Sequence, residues 1–362
     1  MSTFTPDAEI FRDRAVPLLP LTARPDLIAR WLWTIAALVF LIVVVGGITR
    51  ITESGLSITE WKPVSGAIPP LNDADWNAQF DLYKQTTQYQ TVNQNMTLSD
   101  FKFIFFWEWV HRLIGRLIGV AFAVPFAWFA WKKMIPQGYG PRLIGLFILG
   151  GLQGVIGWWM VTSGLVGRTE VSHYRLAIHL MNAFLILAVT VWTALDMHAL
   201  VKGQAGKRMP SGFGWLALGM LTVQLTWGAF VAGLRAGHVS ADWPKMNPAE
   251  WYPAGVQYIE PAWRNIIDNP FVTHFFHRWF AWAVAVVLVM LAIKAMRAGG
   301  RNAAIGLKIA LVAQILLGIF TVLSGVELWI AVTHQGVAAI LLMYAVASAH
   351  VIGKNKVEPT GG

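Results

Sequence analysis

The chain is predicted to be an all-α integral membrane protein of eight transmembrane helices, arranged as two pseudo-symmetric four-helix bundles with both termini cytoplasmic. Three observations predict it. Of its 362 residues, 56% are hydrophobic and 13% charged, and the apolar ones gather in blocks of about the 20 needed to cross a bilayer core. The 28 Lys and Arg outnumber the 19 Asp and Glu, yet they flank apolar blocks rather than forming one patch, which is a mark of membrane topology and not of nucleic-acid binding. The chain also repeats itself: Gln153-x3-Gly157 followed by Ser163-Gly164 matches Gln314-x3-Gly318 followed by Ser324-Gly325, with the same internal spacing. An even number of spans per repeat gives both halves one orientation, related by an axis along the membrane normal.

Taken in order, a cytoplasmic segment covers 1–27. It is too long and lacks the small-residue cleavage site of a signal peptide, and Asp7, Glu9, Asp13 and Asp26 make it unlike a transit peptide. The first apolar block therefore reads as a retained anchor, in a bacterial inner membrane. Spans at 28–48, 108–131, 142–162 and 175–195 build a first bundle within 28–200, and a cytoplasmic linker follows at 201–211. Spans at 213–234, 274–294, 303–323 and 329–350 build the second within 212–350, before a tail at 351–362. Lys132, Lys133 and Arg142, then Lys202, Lys207 and Arg208, then Lys294, Arg297, Arg301 and Lys308, follow the even spans; Arg24 and Arg30 precede the first, and Lys354 and Lys356 follow the last. This excess fixes the cytoplasmic side. The outer face then receives two long loops, 51–107 and 235–273, whose Trp61, Trp76, Trp243, Trp251 and Trp263 suit an interfacial belt or a lid over an outer site.

The absence of cysteine excludes disulfides, thiolate metal sites, thioether-linked heme and iron–sulfur clusters. Any metal must be held by His, Met, Tyr or carboxylate. Four of the nine histidines stand out. His111, His179, His277 and His334 each lie about four or five residues inside a span that begins at the outer face, so they share one depth. Two helices of a bundle offering imidazoles at one level make the usual geometry of bis-histidine heme ligation. His111 with His179 would grip one iron, and His277 with His334 another. A lone membrane histidine is as readily a helix–helix hydrogen-bonding partner; four at matching places in a duplicated framework favour paired ligation. His173 and His238 fall in outer loops, and His198 and His350 at inner helix ends, where solvated or interfacial roles are expected.

Arginines near the outer ends of spans, Arg50, Arg112, Arg116, Arg235 and Arg278, are candidates for the propionates of a heme, since guanidinium binds carboxylate bidentately; snorkelling to headgroups is the alternative for Arg116 and Arg235. Arg50 and Arg235 end the first spans of the two halves and read as a matched pair. Glu108 breaks the symmetry. It stands one helical turn before His111, where a desolvated carboxyl could move protons, or it forms an ion pair with Arg112 or Arg50. The second half has His274 at the corresponding place, sharing a face with His277 as a supporting group or a propionate partner. Only the first half is equipped for chemistry on this reading, and the other has the character of an electron-transfer site.

These residues resemble the heme A synthases of bacteria and mitochondria. The matching signals are Gly46-Gly47-Ile48-Thr49-Arg50, Ser54-Gly55-Leu56-Ser57, Trp61-Lys62-Pro63-Val64-Ser65-Gly66 leading to Pro69-Pro70, and Glu108-Trp109-Val110-His111-Arg112. They continue through Gln153-Gly154 and His179 to His277-Arg278 and His334-Gln335-Gly336. The resemblance implies an eight-span oxidoreductase that oxidises the C8 methyl group of heme O to the formyl group of heme A, for heme-copper terminal oxidases. It implies heme b between His277 and His334, substrate iron facing His111 and His179, and Glu108 as the catalytic carboxylate. Some members carry a cysteine pair in the first outer loop; this chain has none and looks like the proteobacterial and mitochondrial branch.

Making an aldehyde from a methyl takes two successive oxidations at one carbon and loss of water from a geminal diol, with electrons and protons leaving the site. A nearby second heme could take the electrons, and Glu108 could accept a proton or orient water. Expected partners are heme O, heme O synthase, cytochrome oxidase assembly factors and the lipid bilayer, with no nucleic acid and with a homo-oligomer left open. Two other readings remain: a bis-His cytochrome b subunit passing electrons to or from a quinone-linked enzyme, and a transporter, suggested by the duplication and by mid-span Gln153 and Gln314.

Overall fold

The computed structural model describes residues 21–204 and 208–355. Asp7, Glu9 and Asp13 of the amino-terminal segment, Lys207 of the linker and the tail from Lys356 onward lie outside the described residues. Among the described residues, eight helices are long and apolar enough to cross a membrane. They are α1 (Pro25–Ile51), α4 (Leu98–Trp131), α5 (Gly140–Thr162), α6 (His173–Val201), α7 (Gly212–Gly233), α9 (Pro270–Arg297), α10 (Arg301–Leu323) and α11 (Leu328–Val351). Three shorter helices, α2 (Asp73–Lys84), α3 (Thr87–Thr91) and α8 (Asn265–Asp268), lie in the connections.

Local chemistry sets where the long helices begin. Pro25 opens α1 at its first turn with Asp26 beside it, and Arg50 closes the last turn, each charge favourable to the helix dipole. Asn269 caps α9 by accepting from the Phe271 N–H, with Pro270 next. Ser211 caps α7 and Glu327 caps α11 in the same manner.

The second span differs from expectation. Its helix starts ten residues earlier than the apolar run, at Leu98, because Thr97 and Asp100 form a capping box. The added turns carry Phe101, Ile104 and Phe105, which pack with Phe80 and Tyr83 of α2 in a small aromatic core. Phe101 stacks on Phe80 at 4.9 Å between ring centroids and on Tyr83 at 5.4 Å. The stretch 51–107 is thus a folded cap with its own core.

Contacts among the long helices run in two rings. One joins α1, α4, α5 and α6, and the other joins α7, α9, α10 and α11; α1 and α6 meet α11, and α6 meets α7, between them. A single apolar core runs through both, from Ile28, Leu32 and Ile35 to Leu288, Leu291 and Leu342. Phe122 and Phe126 of α4 meet Phe147 of α5, while Gly150, Gly151 and Gly154 of α5 would each find nothing within 4 Å of an added Cβ.

The end opposite the four histidines is bolted by a buried carboxylate. Asp196 of α6, fully buried, accepts from Arg142 Nη1 of α5 at 2.6 Å and lies 2.9 Å from His350 Nε2 of α11. Arg208 donates from its N–H to Asp196 and from its guanidinium to the His350 carbonyl, beside a two-residue antiparallel pairing of Arg208–Met209 with Lys354–Asn355. His350 is therefore buried and paired, not solvated as its place at a helix end suggested. His198, exposed, accepts from Trp33 Nε1 at 2.9 Å. At the other end Asp268 of α8 receives Tyr174, Arg264 Nε and His173 Nε2. Burial pushes its carboxyl up, but those three donors outweigh it and hold it below the ordinary carboxylate value.

Candidate functional site

All four singled-out histidines stand on even-numbered long helices of their rings, and each imidazole lies against a glycine of the helix before it. An added Cβ would come within 3.3 Å of His111 at Gly46, 3.0 Å of His179 at Gly157, and 3.1 Å of His277 at Gly228 and of His334 at Gly318. Small residues there let the backbone approach the ring, which is their use at crowded helix contacts.

His111 and His179 face one another with ring centroids 6.4 Å apart. Two metal–nitrogen bonds of about 2 Å, with about 1.1 Å from nitrogen to ring centre on each side, require centroids about 6 Å apart, so the pair fits an iron between them. His277 and His334 stand on α9 and α11, which pack against one another. Among the described residues no group of three or more His, Asp or Glu side chains could hold a bare ion. Paired imidazoles suit a metal whose other ligands come with a macrocycle.

Glutamine amides line three of the four rings. Gln153 Nε2 lies 3.3 Å from both ring nitrogens of His179 and donates to the His179 carbonyl at 3.0 Å. Gln224 Nε2 lies 3.1 Å from His277 Nδ1 and donates to the His277 carbonyl at 3.0 Å. Gln314 Nε2 lies 3.3 Å from His334 Nε2. Gln224 and Gly228 are additions that the sequence reading did not contain, although they keep the same Gln-x3-Gly spacing as the two repeated pairs.

Above each pair an arginine clasps the stretch that follows the first long helix of its half. In the first half, Arg112 donates to the carbonyls of Ile58 (2.8 Å) and Glu60 (3.1 Å) and to Glu108 Oε1 (2.6 Å). Glu108, 3% exposed, also accepts from Ser57 Oγ at 2.7 Å and the Ile58 N–H at 2.8 Å. In the second half, Arg278 donates to the carbonyls of Ser240 (3.5 Å) and Lys245 (3.2 Å) and to His274 Nε2 (3.0 Å). Trp61 lies under the Arg112 guanidinium at 5.8 Å and Trp243 under that of Arg278 at 5.7 Å. His274, 2% exposed, thus takes the place of Glu108 as the arginine's partner. Trp61 follows Glu53 by the same interval at which Trp243 follows Arg235.

Those last two residues correct one pairing read from the sequence. Arg235 does not correspond to Arg50; its counterpart in shape is Glu53. Both adopt the left-handed conformation, φ 52° and 56°, immediately before a 3-10 turn. The two counterparts join as an ion pair across the halves. Arg235 also reaches Glu170, which accepts from Arg50 Nη2 at 2.9 Å. Arg50 therefore stands in the charge cluster between the halves.

Among the described residues three buried guanidinium atoms have no hydrogen-bond partner: Arg50 Nε and Arg116 Nη1 at this end, and Arg208 Nε at the opposite one. Arg116 otherwise donates to the carbonyls of Pro63 (2.7 Å) and Lys62 (3.0 Å). With Arg112 and Trp109 it lines a cavity of about 320 Å³ beneath Ile68, Pro69 and Pro70. On the cavity's rim the Lys62 ammonium, hydrogen-bonded to Glu60, holds that carboxyl below its ordinary value.

Comparison with known proteins gives this geometry a setting. Residues 29–346 match the family model COX15-CtaA, described as cytochrome oxidase assembly protein. A protein of Novosphingobium aromaticivorans named heme A synthase is 54% identical over 338 residues, covering 91% of this chain and 96% of its own. Another of that name from Sphingopyxis alaskensis is 52% identical over 334 residues, 91% of this chain and 93% of its own. One from Rhizorhabdus wittichii is 51% identical over 347 residues, 95% and 99% of the two chains.

Proposed function

This chain belongs to the COX15-CtaA family of cytochrome oxidase assembly proteins, and from that premise we propose that it is a multi-pass heme A synthase whose two halves hold hemes of different fate. The second half keeps a resident heme b between His277 and His334. The first half receives heme O between His111 and His179, where the C8 methyl group becomes a formyl group. One observation carries the division of labour: the same arginine clasp closes on a carboxylate, Glu108, above the first pair and on a neutral imidazole, His274, above the second.

The residues suit the groups assigned to them. A bound heme supplies reversible one-electron chemistry at iron. His277 and His334 would fix the resident one, and Gly228 and Gly318 leave room for their rings. Arg116 Nη1, buried without a partner, is a donor left over for a propionate at the first site, with Arg112 beside it. Glu108 sits one helical turn from His111 and can accept a proton from the reacting carbon's substituents, or hold a water there, without leaving its three donors. By the distribution of Lys and Arg, the histidine-bearing end faces away from the cytoplasm, in a bacterial inner membrane. Delivery of heme O by its synthase and hand-over to oxidase assembly factors complete the scheme.

The test is Glu108→Gln in cells that also make heme O. Pigment extracted from membranes should lose heme A by about 100-fold or more, the scale on which a misplaced proton acceptor acts, while heme b stays at the wild-type level. Normal heme A in that variant refutes the assignment of Glu108.

A further inference from the structure

Three of the four imidazoles have an amide against them, and the fourth does not. Each of the three glutamines precedes by four residues the glycine on which the ring rests: Gln153 and Gly157, Gln224 and Gly228, Gln314 and Gly318. One helical turn carries both, so a single helix face supplies a surface for the ring and an amide at its edge. For His111 the glycine is Gly46, and four residues before it stands Ile42. The side chain of Ile42 reaches α4 one turn past His111, with Cδ1 3.6 Å from the Cβ position of Gly115. An apolar group fills the place of the amide. His111 has no hydrogen-bond partner among the described residues, and its contact with Gly46 is made through Nε2, where the other three rings present Cε1.

The amides suit imidazoles that must hold one orientation. A primary amide offers a donor and an acceptor at one site, so by turning over it serves a bare Nδ1 or an Nδ1–H. The carbonyl oxygens of Gln224 and Gln314 are buried without a partner. That of Gln224, whose amide lies at His277 Nδ1, is free to accept from Nδ1–H, the tautomer that leaves Nε2 for a metal; Gln314 meets the edge of its ring at His334 Nε2. Gln153 is itself held, since Asn182 Nδ2 donates to its Oε1 at 2.7 Å.

We propose that Gln153, Gln224 and Gln314 are positioning residues that fix His179, His277 and His334, and that His111, which lacks such a residue, is the ligand that gives way when a heme enters or leaves the first half. The inference rests on the heme-ligation reading above. It explains how one scaffold can retain a cofactor in one half and release a product from the other: the resident pair is held at both rings, the substrate pair at one.

The experiment uses the purified full-length protein filled with hemin in both halves, and follows transfer of heme to excess apomyoglobin by absorbance. Two phases are expected, the fast one lost in His111→Ala and the slow one lost in His277→Ala. Ile42→Gln should slow the fast phase about tenfold, and Gln224→Met should speed the slow phase by a similar factor, the range seen when groups that orient metal ligands are removed. Gln224→Glu should keep heme retention while lowering the midpoint potential of the resident heme, because a carboxylate makes the imidazole a stronger donor. The unaltered phase in each variant reports that the protein is intact. Wild-type rates in Ile42→Gln, or wild-type rates and potential in Gln224→Met, overturn the proposal. Persistence of both phases in the two alanine variants overturns heme ligation itself, a result with a different signature.

Discussion

After its first long helix, each half makes a left-handed residue, a 3-10 turn and a descent to a tryptophan, and each stretch is clasped from below by an arginine on the next long helix. The two stretches differ chiefly in what shares the arginine. In the first half it is an acid that also takes a serine hydroxyl and a backbone N–H; in the second it is an imidazole. A common clasp with unlike partners teaches that the two halves share their mechanics and differ at one position, the one to which we assign reactivity. The acid is also part of what holds the cap, so the chemical duty we propose for it has to be separated from its mechanical one by choice of substitution.

Removing the acid altogether should therefore be the most damaging change. Glu108→Ala leaves a buried guanidinium without its counter-charge and is expected to cost about 3–5 kcal/mol, against about 1–3 for His274→Ala, which removes a neutral acceptor. Thermal unfolding of the purified protein reads the difference, and equal losses would mean that the clasps are not chemically distinct. A loss as large as that of Glu108→Ala is expected for Asp196→Ala at the far end, where Arg142 and His350 would lose their shared carboxylate.

Next come the glycines. Gly228→Ala places a methyl 3.1 Å from His277 and should speed loss of the heme we propose there about tenfold, whereas Gly154→Ala, with nothing within 4 Å, should leave it unchanged. Smaller effects are expected above the sites. Trp61→Ala and Trp243→Ala should each cost about 0.5–1 kcal/mol through the lost cation–π contact, and a clear inequality would show that the two clasps carry unequal load. Smallest is Glu53→Gln, because Glu53 and Arg235 are about a third or more exposed and such pairs contribute less than about 1 kcal/mol. It should lower the unfolding midpoint slightly, and less so as salt is added.

The eight spans were legible because length and apolarity alone decide what can cross a bilayer. The folded cap was not, since α2 and α3 are short, polar on one side and stabilised by rings that lie far away in sequence, Phe101 and Phe105. The approach of His111 to His179 could be read from their common depth. The burial of His350 could not, because its partner Asp196 is on another helix. Gln224 was within reach of the sequence, because its spacing to Gly228 is the signal that marks the other two glutamines. The kinship of Glu53 with Arg235 was hidden because the repeats share a backbone turn there and not a residue type.

The most direct measurement of the difference between the halves is the heme b content of the purified protein after removing one histidine pair at a time. The account predicts that the double variant His111→Ala/His179→Ala keeps the wild-type amount of heme b, and that His277→Ala/His334→Ala has none. Loss of heme b from the first variant, or its retention by the second, would contradict the assignment of a resident cofactor to one half and a passing substrate to the other.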